Sequence, residues 1–115
     1  MSVRIYHNPR CSKSRETLAL LEDKGIEPEI VEYLKDPPDR KQLKSILAML
    51  GLSPRQLMRT KEAVYRDKHL DDDKLSDDQL IDAMLADPVL IERPIVIANR
   101  KAAIGRPPEN VLGIL

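Results

Sequence analysis

The chain has 115 residues, 42% apolar and 33% charged, which suits one globular domain spanning residues 1–115, because domains of roughly 100 to 150 residues are the commonest size. Nineteen Lys and Arg cancel 19 Asp and Glu, so the overall basic excess that draws a protein to nucleic acid or anionic membrane is missing, and three Tyr with no Phe or Trp offer few platforms for stacking bases. No apolar run approaches the ~20 residues of a bilayer span, and the N-terminus lacks the long apolar stretch of an export signal. The one cysteine can form no internal disulfide, as expected of a cytoplasmic protein, and any thiol chemistry must finish on a second molecule.

Val3, Ile5 and Tyr6 form a β-prone run that His7-Asn8-Pro9 stops, since proline supplies no ladder donor; a strand is expected over 3–6. Leu18 to Leu21 suit a helix over 12–24, with Gly25 as its stop. Glu29-Ile30-Val31-Glu32-Tyr33 alternates as a half-buried strand does. Asp39 with Gln42 three residues on reads as a capping box, followed by Leu43, Ile46, Leu47 and Leu50 at helical spacing. Ser53-Pro54 starts a short helix expected through Arg59, and Ser76 with Gln79 caps a third, whose stripe is Leu80, Ile81, Met84 and Leu85. Residues 95–98 and 102–104 read as a hairpin joined by Asn99-Arg100-Lys101, and Pro107-Pro108 opens a closing helix. The order βαβ, three helices, ββα implies an α/β fold, a mixed four-stranded sheet of thioredoxin-like arrangement with a helical insert between its halves.

Cys11 lies between Pro9-Arg10 and Ser12-Lys13-Ser14-Arg15 at the junction of the first strand and helix. These neighbours are poor core residues, so the thiol is expected to be reachable from solvent. Unpaired amides and the positive dipole end of the helix stabilise an anion there, and Arg10, Lys13, Arg15 and His7 would add positive potential. A free cysteine titrates near about 8.5, and such a setting lowers it toward a thiolate nucleophile. The Ser14 hydroxyl, one turn from Cys11, is placed to donate to the sulfur. A phosphatase loop would need an arginine where Thr17 stands, and a dithiol site would need a second cysteine where Ser14 stands. Eight aspartates between Asp67 and Asp87 lack the glycine and glutamate of a calcium loop and read as a solvated, helix-capping face. His69 has no second His or Cys at ligand spacing, so no metal is expected.

The run His7-Asn8-Pro9-Arg10-Cys11-Ser12-Lys13-Ser14-Arg15, then Leu57-Met58-Arg59, Glu62-Ala63-Val64-Tyr65, Arg93-Pro94-Ile95-Val96 and Gly105-Arg106-Pro107, resembles the ArsC family of glutaredoxin-coupled arsenate reductases over essentially the whole chain. The resemblance implies a thioredoxin-like fold with a helical insert, a cis peptide before Pro94, and attack of Cys11 on the arsenic of arsenate. It assigns oxyanion binding and turnover to Arg59, Arg93 and Arg106, and tuning of the cysteine to His7. Three guanidinium forks suit a tetrahedral dianion, because each meets its oxygens bidentately and never loses charge. The resemblance further implies no bound cofactor, glutathione as thiol co-substrate, glutaredoxin as the partner that restores the thiol, and a monomer. Two other functions fit the fold: a regulatory binding module of the Spx type, against which the single cysteine and the arginine set argue, and a glutathione-dependent thiol reductase for another small substrate.

Overall fold

The computed structural model describes residues 2–115, which fall into two compact units: the N-terminal residues through Asp36 together with Arg93–Leu115, and Pro37–Glu92.

In the first unit, β1 (Val3–His7) leads through α1 (Ser12–Asp23) to β2 (Glu29–Glu32), and β3 (Ile95–Ala98) turns into β4 (Lys101–Ile104) before a closing 3-10 helix, Pro108–Ile114. The strands are ordered β2-β1-β3-β4, with β1 and β2 parallel and the other two pairs antiparallel, so the expected mixed sheet is present. Val3 and Ile5 on β1 and Val96 and Ala98 on β3 join Leu21 of α1 and Val111 of the closing helix in one aliphatic core. Ile5 and Leu21 are fully buried, and such side chains contribute about 1.5–3 kcal/mol each through removal from water. The α1 helix ends where Gly25 turns left-handed (φ 77°), and Ile26 N–H returns to Leu21 O at 3.0 Å, the bonding of a glycine-terminated helix.

The hairpin turn is tighter than expected. Asn99 and Arg100 both take positive φ, 54° and 63°, as a two-residue turn that follows the twist of its strands requires, and Lys101 already belongs to β4. At the other end of the sheet Tyr6 pairs with Ile95 and Ile95 with Ile104. This register sets side by side the segments that leave β1, enter β3 and leave β4.

The second unit holds α2 (Arg40–Leu50), α3 (Pro54–Leu57), α4 (Ala63–Asp67), α5 (Asp77–Ala86) and a 3-10 turn, Pro88–Leu90. All three expected capping boxes form, at Asp39/Gln42, Ser53/Gln56 and Ser76/Gln79. The helix begun at Ser53 stops two residues before Arg59, because Met58 turns extended (φ −80°, ψ 143°) and bridges Ile91. Arg59 N–H then donates to Leu90 O at 2.7 Å and Glu92 N–H to Leu57 O at 3.0 Å. The sequence reading omitted α4, whose five residues are too few to show a period. It is tied down by buried Tyr65, whose hydroxyl accepts from Arg55 Nη1 at 2.8 Å while the same nitrogen donates to Leu70 O at 2.7 Å.

Candidate active site

Cys11 follows the tight turn that ends β1. Its N–H donates to Asn8 O and its carbonyl accepts from Arg15 N–H, both at 3.0 Å, while Asn8 Oδ1 closes the turn on Arg10 N–H at 3.0 Å. With extended φ −94° and ψ 123°, Cys11 is the N-cap of α1. The thiol is a free but buried cysteine, 8% exposed, contrary to the expected solvent access. The neighbouring polar residues predicted exposure, but His7, Asn8 and Ser14 are themselves buried.

Burial pushes the Cys11 thiol up, yet the balance lies below its ordinary value. The backbone N–H of Ser14, the Arg93 guanidinium and the backbone N–H of Lys13 together outweigh the desolvation. The Lys13 and Ser14 amides belong to the first turn of α1, where N–H groups lack partners within the helix and suit an anion at the cap. The expected source of positive charge is therefore corrected. Lys13 pairs with Glu16 at 3.4 Å and Arg15 donates to Pro9 O at 3.0 Å, whereas the cations that meet the sulfur, Arg93 and Arg106, lie 82 and 95 positions later in the chain.

His7 and Ser14 also differ from expectation. His7 is the last residue of β1, one beyond the strand expected over 3–6, and is 6% exposed. Burial, aided by the Arg15 charge and opposed by Glu32, holds its imidazole below the ordinary 6.5, so at neutral pH it brings no positive charge to the thiolate. His7 Nδ1 meets Ser14 Oγ at 2.6 Å, and the same oxygen accepts from Asn8 N–H at 3.0 Å. The Ser14 hydroxyl thus braces the turn, and it is the Ser14 amide that serves the sulfur.

Of the expected arginines, Arg93 and Arg106 share a unit with Cys11 and reach it. Arg106 Nη2 lies 3.4 Å from Sγ, while its Nε donates to Arg93 O at 2.7 Å. Arg93 immediately precedes cis-Pro94, as the resemblance implied, and a second cis bond joins Arg106 to Pro107. Arg59 lies in the second unit. Its Nε donates to Glu62 Oε1 at 3.1 Å and its Nη1 to Glu92 Oε1 at 2.7 Å, and these carboxylates outweigh burial in raising its pKa. Sequence reasoning gave no role at the site to Thr17 or Gly105: Gly105 stood only within a family motif, and Thr17, fully buried six residues beyond Cys11, carried none. Among the described residues no group of three His, Cys, Asp or Glu side chains could hold a metal ion.

A buried thiol at a helix cap, beside two guanidinium groups and favoured as thiolate, can attack an electrophilic centre that those groups draw in. The chain is 58% identical over 114 residues to the uncharacterized protein YfgD of Escherichia coli K12, covering 98% of this chain and 96% of that one. It is 56% identical over 116 residues to the arsenate reductase of Haemophilus influenzae, covering both chains completely. Among solved structures, the arsenate reductase from Vibrio cholerae superposes with a TM-score of 0.97 at 56% identity, covering 100% of this chain and 98% of that one. The family model described as ArsC family matches residues 6–114, and the chain belongs to the ArsC family.

Proposed function

We propose that this protein reduces arsenate to arsenite with Cys11 as nucleophile. The observation that carries the reading is the Cys11 sulfur itself: a helix-cap thiol favoured as thiolate by two backbone amides and Arg93, with Arg106 Nη2 at 3.4 Å. The name of the Haemophilus influenzae relative, identical at 56% of aligned positions, supports the choice of oxyanion. Arg93 and Arg106 bind the arsenate oxygens, and the family motif adds Arg59.

The thiolate attacks arsenic(V), and one arsenate oxygen leaves as water after protonation, which gives a Cys11 S–As bond. Glutathione thiolate then attacks this adduct. The S–As electron pair stays with arsenic, which falls from the +5 to the +3 state and leaves as arsenite, while the two sulfurs become a Cys11–glutathione disulfide. With one cysteine in the chain, the disulfide must be opened from outside, and glutaredoxin does so by thiol exchange. No bound cofactor takes part. The reducing cytoplasm supplies these thiols.

The purified protein is expected to turn over arsenate repeatedly only when arsenate, glutathione and glutaredoxin are all present; without glutaredoxin it should stop after about one arsenite per protein, as the Cys11–glutathione disulfide. Cys11→Ser should abolish turnover while leaving the circular dichroism spectrum unchanged, and intact mass should show one glutathione on the parent and none on the variant. Folded parent protein that yields no arsenite would refute the reading.

A further inference from the structure

Gly105 sits between β4 and Arg106, and its backbone is not in the left-handed region, so φ alone does not require glycine there. Space does. A Cβ at this position would lie 2.4 Å from Thr17 Oγ1, 3.0 Å from Thr17 Cγ2 and 2.9 Å from Pro94 Cγ. Neither neighbour yields easily. Thr17 is fully buried in α1, its hydroxyl donating to Lys13 O at 2.8 Å with Gly105 O at 3.4 Å, and Pro94 is buried and accepts Gly105 N–H on its carbonyl at 3.0 Å. Gly105 is thus clamped between the helix that Cys11 caps and the proline that follows Arg93. The next residue sends its side chain to both: Arg106 Nε to Arg93 O at 2.7 Å and Arg106 Nη2 to Cys11 Sγ at 3.4 Å.

We propose that Gly105 and Thr17 form a seat that sets the distance between Arg106 and the Cys11 sulfur, which makes them positioning residues for the reaction at Cys11. This rests on the reading of Cys11 as nucleophile. A Cβ at Gly105 must move from 2.4 Å to an ordinary contact of at least 3.4 Å from Thr17 Oγ1, a displacement of about 1 Å. A misplacement of that size at a reacting centre costs on the order of a hundredfold in rate.

The test compares Gly105→Ala with Gly113→Ala, where an added Cβ meets nothing within 4 Å. For Gly105→Ala we expect kcat/KM for arsenate to fall about 100-fold and iodoacetamide alkylation of Cys11 at pH 7 to slow at least about threefold, because the thiolate loses a charged donor; Gly113→Ala should change neither. Adding Thr17→Ala to Gly105→Ala removes two of the three obstructing atoms and should restore at least about tenfold of the lost kcat/KM, the excess of the Gly105→Ala loss over what Pro94 alone imposes. If Gly105→Ala does not fold, Thr17→Leu presses on the same glycine from the helix side and should slow alkylation alike. Folded Gly105→Ala with parental alkylation and turnover, or a loss that Thr17→Ala leaves untouched, would overturn the proposal. Because alkylation needs no arsenate, a parent that turns over no arsenate would sink the functional reading while this measurement still decides the placement of Arg106.

Discussion

Replacing Arg93 or Arg106 by alanine should weaken the binding of a tetrahedral dianion, and the two losses should differ in a stated order. A hydrogen bond to a charged group contributes about 1.5–3 kcal/mol, which corresponds to about a 10- to 150-fold change in Kd. Arg106 is exposed, so water and salt screen its charge and its loss should fall near the tenfold end. Arg93 is half-buried and already acts on the Cys11 sulfur, so Arg93→Ala should lie toward the upper end. Sulfate serves as the unreactive dianion, titrated calorimetrically into parent and variants at two salt concentrations. Arg106→Lys should recover only part of the loss, since one ammonium cannot hold Arg93 O at 2.7 Å and stand 3.4 Å from Sγ together. Equal affinity in parent and both alanine variants would refute the oxyanion assignment, and a larger loss at Arg106 than at Arg93 would refute the use of burial to rank them.

His7 provides a pH test of the turn. Its folded-state pKa lies below the ordinary 6.5, so as pH falls through 6.5 toward the folded value the unfolded chain takes up a proton that the folded chain refuses, and stability drops with pH. Urea midpoints of the parent should decline between pH 7 and 5 more steeply than those of His7→Gln, and identical slopes would remove His7 as the cause. Arg59 is tested by a double-mutant cycle with Glu92: the pair is 2.7 Å apart, with side chains 24% and 27% exposed, so a coupling of about 0.5–1 kcal/mol in urea unfolding is expected, and a coupling near zero would show that the contact adds nothing to stability.

What could be read along the chain was what depends on near neighbours. The three capping boxes were legible because an N-cap oxygen and an N3 amide are three residues apart, and the αβ order followed from periods of two and 3.6. Failures fell where a distant segment overrode a local preference. Arg59 looked like the last residue of a helix, yet Met58 left it to bridge Ile91, a pairing 33 residues away that no window of turn or helix signals contains.

The same division runs through the site. That Cys11 would cap a helix was visible in its neighbours, and the three arginines were brought together by resemblance to a family and not by spacing. The local cations were a poor guide, because Lys13 and Arg15 are spent on Glu16 and Pro9 O. What brings Arg93 and Arg106 to the sulfur is strand register: Tyr6 opposite Ile95 and Ile95 opposite Ile104 put the residues following β1, preceding β3 and following β4 at one end of the sheet. A shift of one residue in the β1–β3 pairing would turn every β3 side chain to the opposite face, taking Val96 and Ala98 out of the core they share with Val3, Ile5 and Leu21. The aliphatic core thus fixes the register, and the register fixes which guanidinium groups meet the thiol. Burial of Val96 and approach of Arg93 to Cys11 are therefore two consequences of one pairing, which is why the charge that activates the cysteine lies far from it in sequence.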